Sequence, residues 1–187
     1  MSLLANAPST SKAPYYTGGS VKCLQDALID ASKTVDWLII SHDDPKVHDR
    51  IMRVPGSQSS CLLTVPQFQW NFQTGELVSL LERAIDRSGV QRLLLVGHSD
   101  SPVDDSESSF QRTKTPRRLF DATRSMLTRA QHAKNDFADR VNSISLHPTV
   151  HRGLAGGQLR VHALFYLAHS EAFLLFDPST NEFRPLA

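Results

Sequence analysis

At 187 residues, 40% of them hydrophobic, the chain is the size of one domain and can bury a core without staples. Its 20 basic and 19 acidic residues leave a formal net charge of +1, which gives no electrostatic ground for a nucleic-acid or acidic-membrane partner. No apolar run approaches the roughly 20 residues of a membrane span. Residues 1–14 lack the basic start and continuous apolar stretch of a signal peptide, so the expected compartment is the cytoplasm.

In chain order, residues 1–19 read as an N-terminal arm punctuated by Pro8, Pro14, Gly18 and Gly19, and residues 20–187 as the domain. Ser20 can cap a helix over residues 20–32, with Val21, Leu24, Ala27, Leu28 and Ala31 on one stripe. Residues 35–40 (VDWLII) predict a buried strand that stops at Ser41-His42-Asp43-Asp44-Pro45. A second strand is expected at residues 61–65, ended or placed at an edge by Pro66. Thr74 can cap an amphipathic helix over residues 75–88 that Gly89 closes. Residues 93–96 (LLLV) predict the third and clearest buried strand, which stops at Gly97-His98-Ser99-Asp100-Ser101-Pro102.

Residues 103–115, acidic then basic, read as a solvated loop. Residues 117–141 are helical by composition, with a second helical piece ending near Pro148 and then a loop through Gly153, Gly156 and Gly157. Residues 159–168 and 173–177 read as a closing hairpin. Cys23 and Cys61 form neither a CxxC pair nor a Cys/His cluster and read as buried free thiols. Trp70, Phe68 and Phe72 read as core or subunit interface.

Strands alternating with helices predict an α/β fold with a parallel core, and such sheets gather ligands beyond the carboxyl ends of their strands. Two polar clusters sit at such ends, residues 41–45 and 97–102. They are the strongest pointer to a site in the residues themselves.

Those clusters carry a resemblance. Ser41-His42-Asp43-Asp44-Pro45 lies where β-class carbonic anhydrases have Cys-x-Asp-Ser-Arg, and Gly97-His98-Ser99-Asp100-Ser101 where they have Gly-His-x-x-Cys. Arg53-Val54-Pro55-Gly56 resembles the family's Arg-Asn-Ala-Gly. The run from Asn142 to Pro148 resembles its late helix end. Gly157-Gln158-Leu159 with Leu164-Phe165-Tyr166 resembles its closing hairpin. The order and spacing of the five carry the likeness from about residue 20 to residue 178.

The resemblance implies a β-carbonic-anhydrase-like α/β fold, with a parallel-core mixed sheet flanked by helices and a C-terminal hairpin. It also implies a homodimer or higher oligomer. Family zinc is held by two thiolates and one imidazole, donors that suit it. Carried over, the ligands are Ser41, His98 and Ser101, and only His98 keeps its type. Asp43 matches the motif's catalytic Asp, but its Arg partner is Pro45.

The first reading is therefore a carbonic-anhydrase-like protein without zinc or CO2 hydration, a non-catalytic binding, regulatory or assembly subunit. Its pocket would be formed by Ser41, His42, Asp43, His98, Asp100 and Ser101, with no cofactor and a small anion such as bicarbonate as ligand. The alternative is a metal-dependent lyase or hydrolase whose zinc, or another divalent metal, is held by His98 and Asp43 with His42 or Asp100. A third reading takes Gly97-His98-Ser99-Asp100-Ser101 as a nucleophile elbow, with Ser99 attacking and His162 or His169 as base.

Overall fold

The computed structural model describes residues 15–16, 35–53, 60–65, 67, 70–73, 75–100 and 119–186. The expected helix over residues 20–32, the cap at Thr74 and the loop over residues 103–115 lie outside the described residues, as do Cys23, Phe68 and Ser101.

The described strands are β1 (Tyr15–Tyr16), β2 (Trp37–Ser41), β3 (Ser60–Thr64), β4 (Arg92–His98), β5 (Arg160–Leu167), β6 (Ala172–Asp177) and β7 (Glu182–Pro185). They form one sheet in the order β1-β3-β2-β4-β5-β6-β7. The pairings from β1 through β5 are parallel, and β6 and β7 continue antiparallel. The parallel core and the β5–β6 hairpin match the sequence reading. β7 and the two-residue strand from the arm were not foreseen.

The helices are α1 (Pro45–Met52), α2 (Glu76–Asp86), α3 (Leu119–Ser145) and α4 (Pro148–Ala155). Side chains along the strands alternate between two apolar clusters, as a pleated sheet requires. On one face Leu38, Ile40, Leu63, Leu93, Leu95 and Phe165 meet residues of α2, α3 and α4. On the other, Ile39, Leu62, Leu94, Val96 and Tyr166 meet Val47 and Ile51 of α1. Each such side chain contributes roughly 1.5–3 kcal/mol when fully buried. Trp70 and Phe72 belong to the first cluster, so the aromatic pair is core.

The helix expectations need correction in part. A helix does end near Pro148, at Ser145, but Pro148 itself occupies the first turn of α4, and Gly153 lies inside that helix rather than in a loop. Proline suits a first turn because its missing N–H has no partner there. Gly153 is tolerated because a Cβ would stand 2.9 Å from Leu159 Cβ, so the bare backbone lets β5 begin against α4. The segments read as two helical pieces before Pro148 are one helix, α3. The polar cluster around Pro45 is likewise not all loop: Asp44 caps α1 and Pro45 opens it.

One close approach fixes the carboxyl end of β4. A Cβ on Gly97 would lie 2.4 Å from Phe137 Cδ2, so glycine lets α3 press its Phe137 ring under the strand. That ring also meets Trp70, Phe165, Phe176 and Phe183.

Candidate functional site

Ser41 pairs in register with Thr64 of β3 and Val96 of β4, and β4 runs on to His98, whose partner on β5 is Tyr166. Alternation puts Ser41, Thr64, His98 and Tyr166 on the α1 side of the sheet. All four are buried. These residues lie at the carboxyl ends of the parallel strands.

His98 has both ring nitrogens occupied. The backbone N–H of Asp100 donates to Nδ1 at 3.0 Å, so that nitrogen carries no proton. This assigns the proton to Nε2, which lies 2.9 Å from Asp44 Oδ2 and donates to it. The other Asp44 oxygen accepts from Lys46 N–H at 2.8 Å as the cap of α1. One carboxylate therefore starts the helix and holds the imidazole. Burial works to raise the Asp44 pKa, but the bonds from Lys46 N–H and His98 outweigh it and hold the carboxyl below its ordinary value.

The backbone of His98 is tied as firmly. Its N–H donates to Gln67 Oε1 at 3.1 Å, and Gln67 Nε2 donates to Ala133 O at 3.2 Å and Asp136 Oδ2 at 3.0 Å on α3. Arg140 grips Asp136 at 2.9 Å and donates to Trp70 O at 2.6 Å. Sequence reading missed both Asp44 and Gln67. Asp44 carried a partial signal, an acidic residue directly before a proline, the pairing of a cap with a first helical position. Gln67 carried none.

His42 is half-buried, with its ring 5.4 Å from that of His98. Its backbone carbonyl accepts from His48 Nε2 at 3.0 Å. Its Nδ1 and the Thr64 hydroxyl are buried without a hydrogen-bond partner among the described residues. Burial lowers the His42 pKa, His98 and His48 lower it further, and Asp43 and Asp44 oppose them. The Ser41 hydroxyl donates to the His42 carbonyl at 3.0 Å.

The β5–β6 turn is tied to the end of β4 and to α1. At the β5–β6 turn, Ala168 N–H donates to Ser99 Oγ at 3.0 Å. Glu171 takes Lys46 Nζ at 3.0 Å and Arg50 Nη2 at 3.1 Å, and its carbonyl accepts from Arg50 Nη1. Its φ of 50° is left-handed, a conformation that these contacts to α1 help to hold. The Arg50 guanidinium lies 6.0 Å from the centre of the Tyr166 ring.

The structure brings Ser41, His42, His98 and the backbone of Asp100 together. It leaves the side chains of Asp43 and Asp100 exposed, and Asp44 rather than Asp43 bonds His98. Among the described residues no group of three or more His, Cys, Asp or Glu is arranged to hold a metal ion. Ser99 enters a turn instead of a helix, and its hydroxyl donates to Asp100 Oδ1 at 3.4 Å, with no histidine bonded to it among the described residues. His162, offered as its base, stacks on Trp37 at 5.6 Å toward the other end of the sheet. Cys61 is free and buried, and burial pushes its thiol up to about 11.

No protein-family model matches the sequence, and no curated protein matches it. Solved structures do. The β-carbonic anhydrase CcaA superimposes with a TM-score of 0.59 at 12% identity, covering 88% of this chain and 90% of that one. Tetrameric β-carbonic anhydrases from the filamentous ascomycete Sordaria macrospora give 0.55 at 13% identity, over 81% and 84%. A Coccomyxa β-carbonic anhydrase in complex with acetazolamide gives 0.54 at 16% identity, over 88% and 77%. The fold is that of the β-carbonic anhydrases. At such identities the likeness is one of fold, and function has to be argued from the site. The α/β-hydrolase reading of Ser99 loses its scaffold here. In this chain the cluster at the strand ends is built on His98 and Asp44. No helix among the described residues is long and apolar enough to cross a membrane.

Proposed function

We propose that this is a carbonic-anhydrase-like protein that has lost zinc binding and CO2 hydration and acts as a non-catalytic binding, regulatory or assembly subunit. The observation that carries the reading is the state of His98. Nδ1 already accepts from Asp100 N–H, so only Nε2 could offer a metal its lone pair, and a metal there would have to displace the bond to Asp44. Hydroxyls at Ser41 and Ser101 stand where the resemblance implies thiolates, and the Ser41 proton is spent on the His42 carbonyl. We read this donor set as unfit for a thiolate–imidazole zinc ion. The same two bonds keep the His98 ring from acting as a general base.

In this reading the chain assembles at least as a homodimer and works in the cytoplasm, and a small anion such as bicarbonate is the candidate ligand at the strand ends. The neighbours from Sordaria macrospora, which are tetrameric, support the oligomer. The unpartnered His42 Nδ1 and Thr64 hydroxyl support a small polar guest. The test is elemental analysis of protein purified without chelator, combined with a stopped-flow CO2 hydration assay. The expected result is substoichiometric zinc and hydration at the uncatalysed rate. Stoichiometric zinc with fast hydration overturns the proposal.

A further inference from the structure

At the amino ends of the strands, on the same face as His98, Trp37, Arg92 and Arg160 are register partners across β2, β4 and β5. Adjacent strands lie about 4.8 Å apart, so the two arginines leave the sheet side by side. The Arg92 guanidinium lies over the Trp37 ring, 5.1 Å from its centre. His162, one pleat repeat along β5, packs on the same indole at 5.6 Å. Its pKa is lowered, by burial first and then by the charges of Arg92 and Arg160. Among the described residues, no carboxylate forms an ion pair with either arginine.

Like charges directly opposite each other on neighbouring strands destabilise a sheet. Here the pair is in register, and one member is held by an aromatic face. Nothing in the described structure neutralises it. Two guanidinium forks side by side suit the oxygens of a tetrahedral anion, and a nearby imidazole adds a third donor.

We propose that Arg92 and Arg160, with His162 beside them, form a binding site for a tetrahedral oxyanion, either inorganic phosphate or the phosphate group of a monoester. The site is distinct from the strand-end cluster. Arg92 and His98 stand at opposite ends of the 7-residue β4, roughly 20 Å of strand apart. It stands whether or not the strand-end site is catalytic.

The test uses the full chain. Thermal unfolding is followed with inorganic phosphate and, separately, with glycerol 3-phosphate, each against chloride at matched ionic strength. Ring resonances of the histidines are followed by NMR in the same titrations. At a concentration tenfold above Kd, the ligand is expected to raise Tm by about 3–6 °C. It should move the ring resonances of His162 and leave those of His98 in place. Tighter binding of the ester assigns a monoester, and equal or weaker binding assigns the free anion. Arg160→Gln, an exposed position, should abolish both responses while its own Tm without ligand equals or exceeds that of wild type. Arg92→Lys, which keeps the charge but loses the fork, should weaken binding about tenfold. The proposal is overturned if neither ligand moves Tm or His162. It is overturned equally if the response survives in Arg160→Gln, or if Tm ignores both ligands and rises with protein concentration, which would put a second copy over the arginines.

Discussion

The two ends of β4 answer the same problem in opposite ways. At the carboxyl end, His98 is bonded to Asp44 and Gln67, and Ser99 to Asp100 and Ala168, while His42 Nδ1 and the Thr64 hydroxyl are left without a partner among the described residues. At the amino end, Arg92 and Arg160 stand in register with no carboxylate among the described residues to meet them. A group that is already bonded has little to offer a ligand, whereas an unneutralised pair gains by taking one. At the position that the resemblance marks as the site, the imidazole of His98 is thus already bonded and spare capacity is neutral, at His42 and Thr64, whereas at the unmarked end it is charged.

The largest expected effect tests how self-contained the carboxyl end is. Gln67→Leu removes the acceptor for the buried His98 N–H and both donations to α3, and should cost about 1–3 kcal/mol in urea unfolding. A cost near zero would mean that water replaces Gln67 and that the end is open.

Asp44 separates the two jobs of one carboxylate. Asp44→Ala loses both the helix cap and the His98 bond, for an expected cost of about 1–2 kcal/mol, while Asp44→Asn keeps the cap and should cost less than half as much. Equal costs would show the His98 bond, not the cap, to be the stabilising contact.

The smallest effect is in pH. His42 and His162, one toward each end, both have folded-state pKa values lowered from 6.5, so the unfolded chain binds protons more readily. Their contribution is complete above pH 6.5 and declines as pH falls through that value toward the folded pKa values. Asp44 adds a second loss at more acid pH, because its folded pKa lies below 3.8. Urea midpoints measured from pH 7.5 down to pH 3 should therefore fall in two steps. His42→Asn should shallow the first step but not abolish it, since His162 remains. A first step unchanged in His42→Asn would place all of it at the arginine end and sharpen the contrast.

Much of this was legible in the sequence. The runs at residues 35–40, 61–65 and 93–96 are apolar and β-branched enough to read as buried strands, and two of them end in polar clusters, so the candidate site followed from topology. The closing hairpin was legible too. α1 was not, because its eight residues bury little besides Val47, His48 and Ile51, too few to set a period. Nor was α4, since Gly153 reads as a breaker until Leu159 is seen against it.

The sequence by itself determined the strands, their order of chemistry and the hydroxyls standing where thiolates would be, because these depend on residue type and short-range pattern. Tertiary structure decided the rest. That Asp44 rather than Asp43 meets His98 depends on where α1 begins. That Gln67 holds His98 depends on α3 arriving from the far half of the chain. That Arg92 faces Arg160 depends on the register between β4 and β5, which local sequence does not encode. Hydrogen bonds and charge pairs reach only a few ångströms, so which groups they join is settled by how distant segments pack.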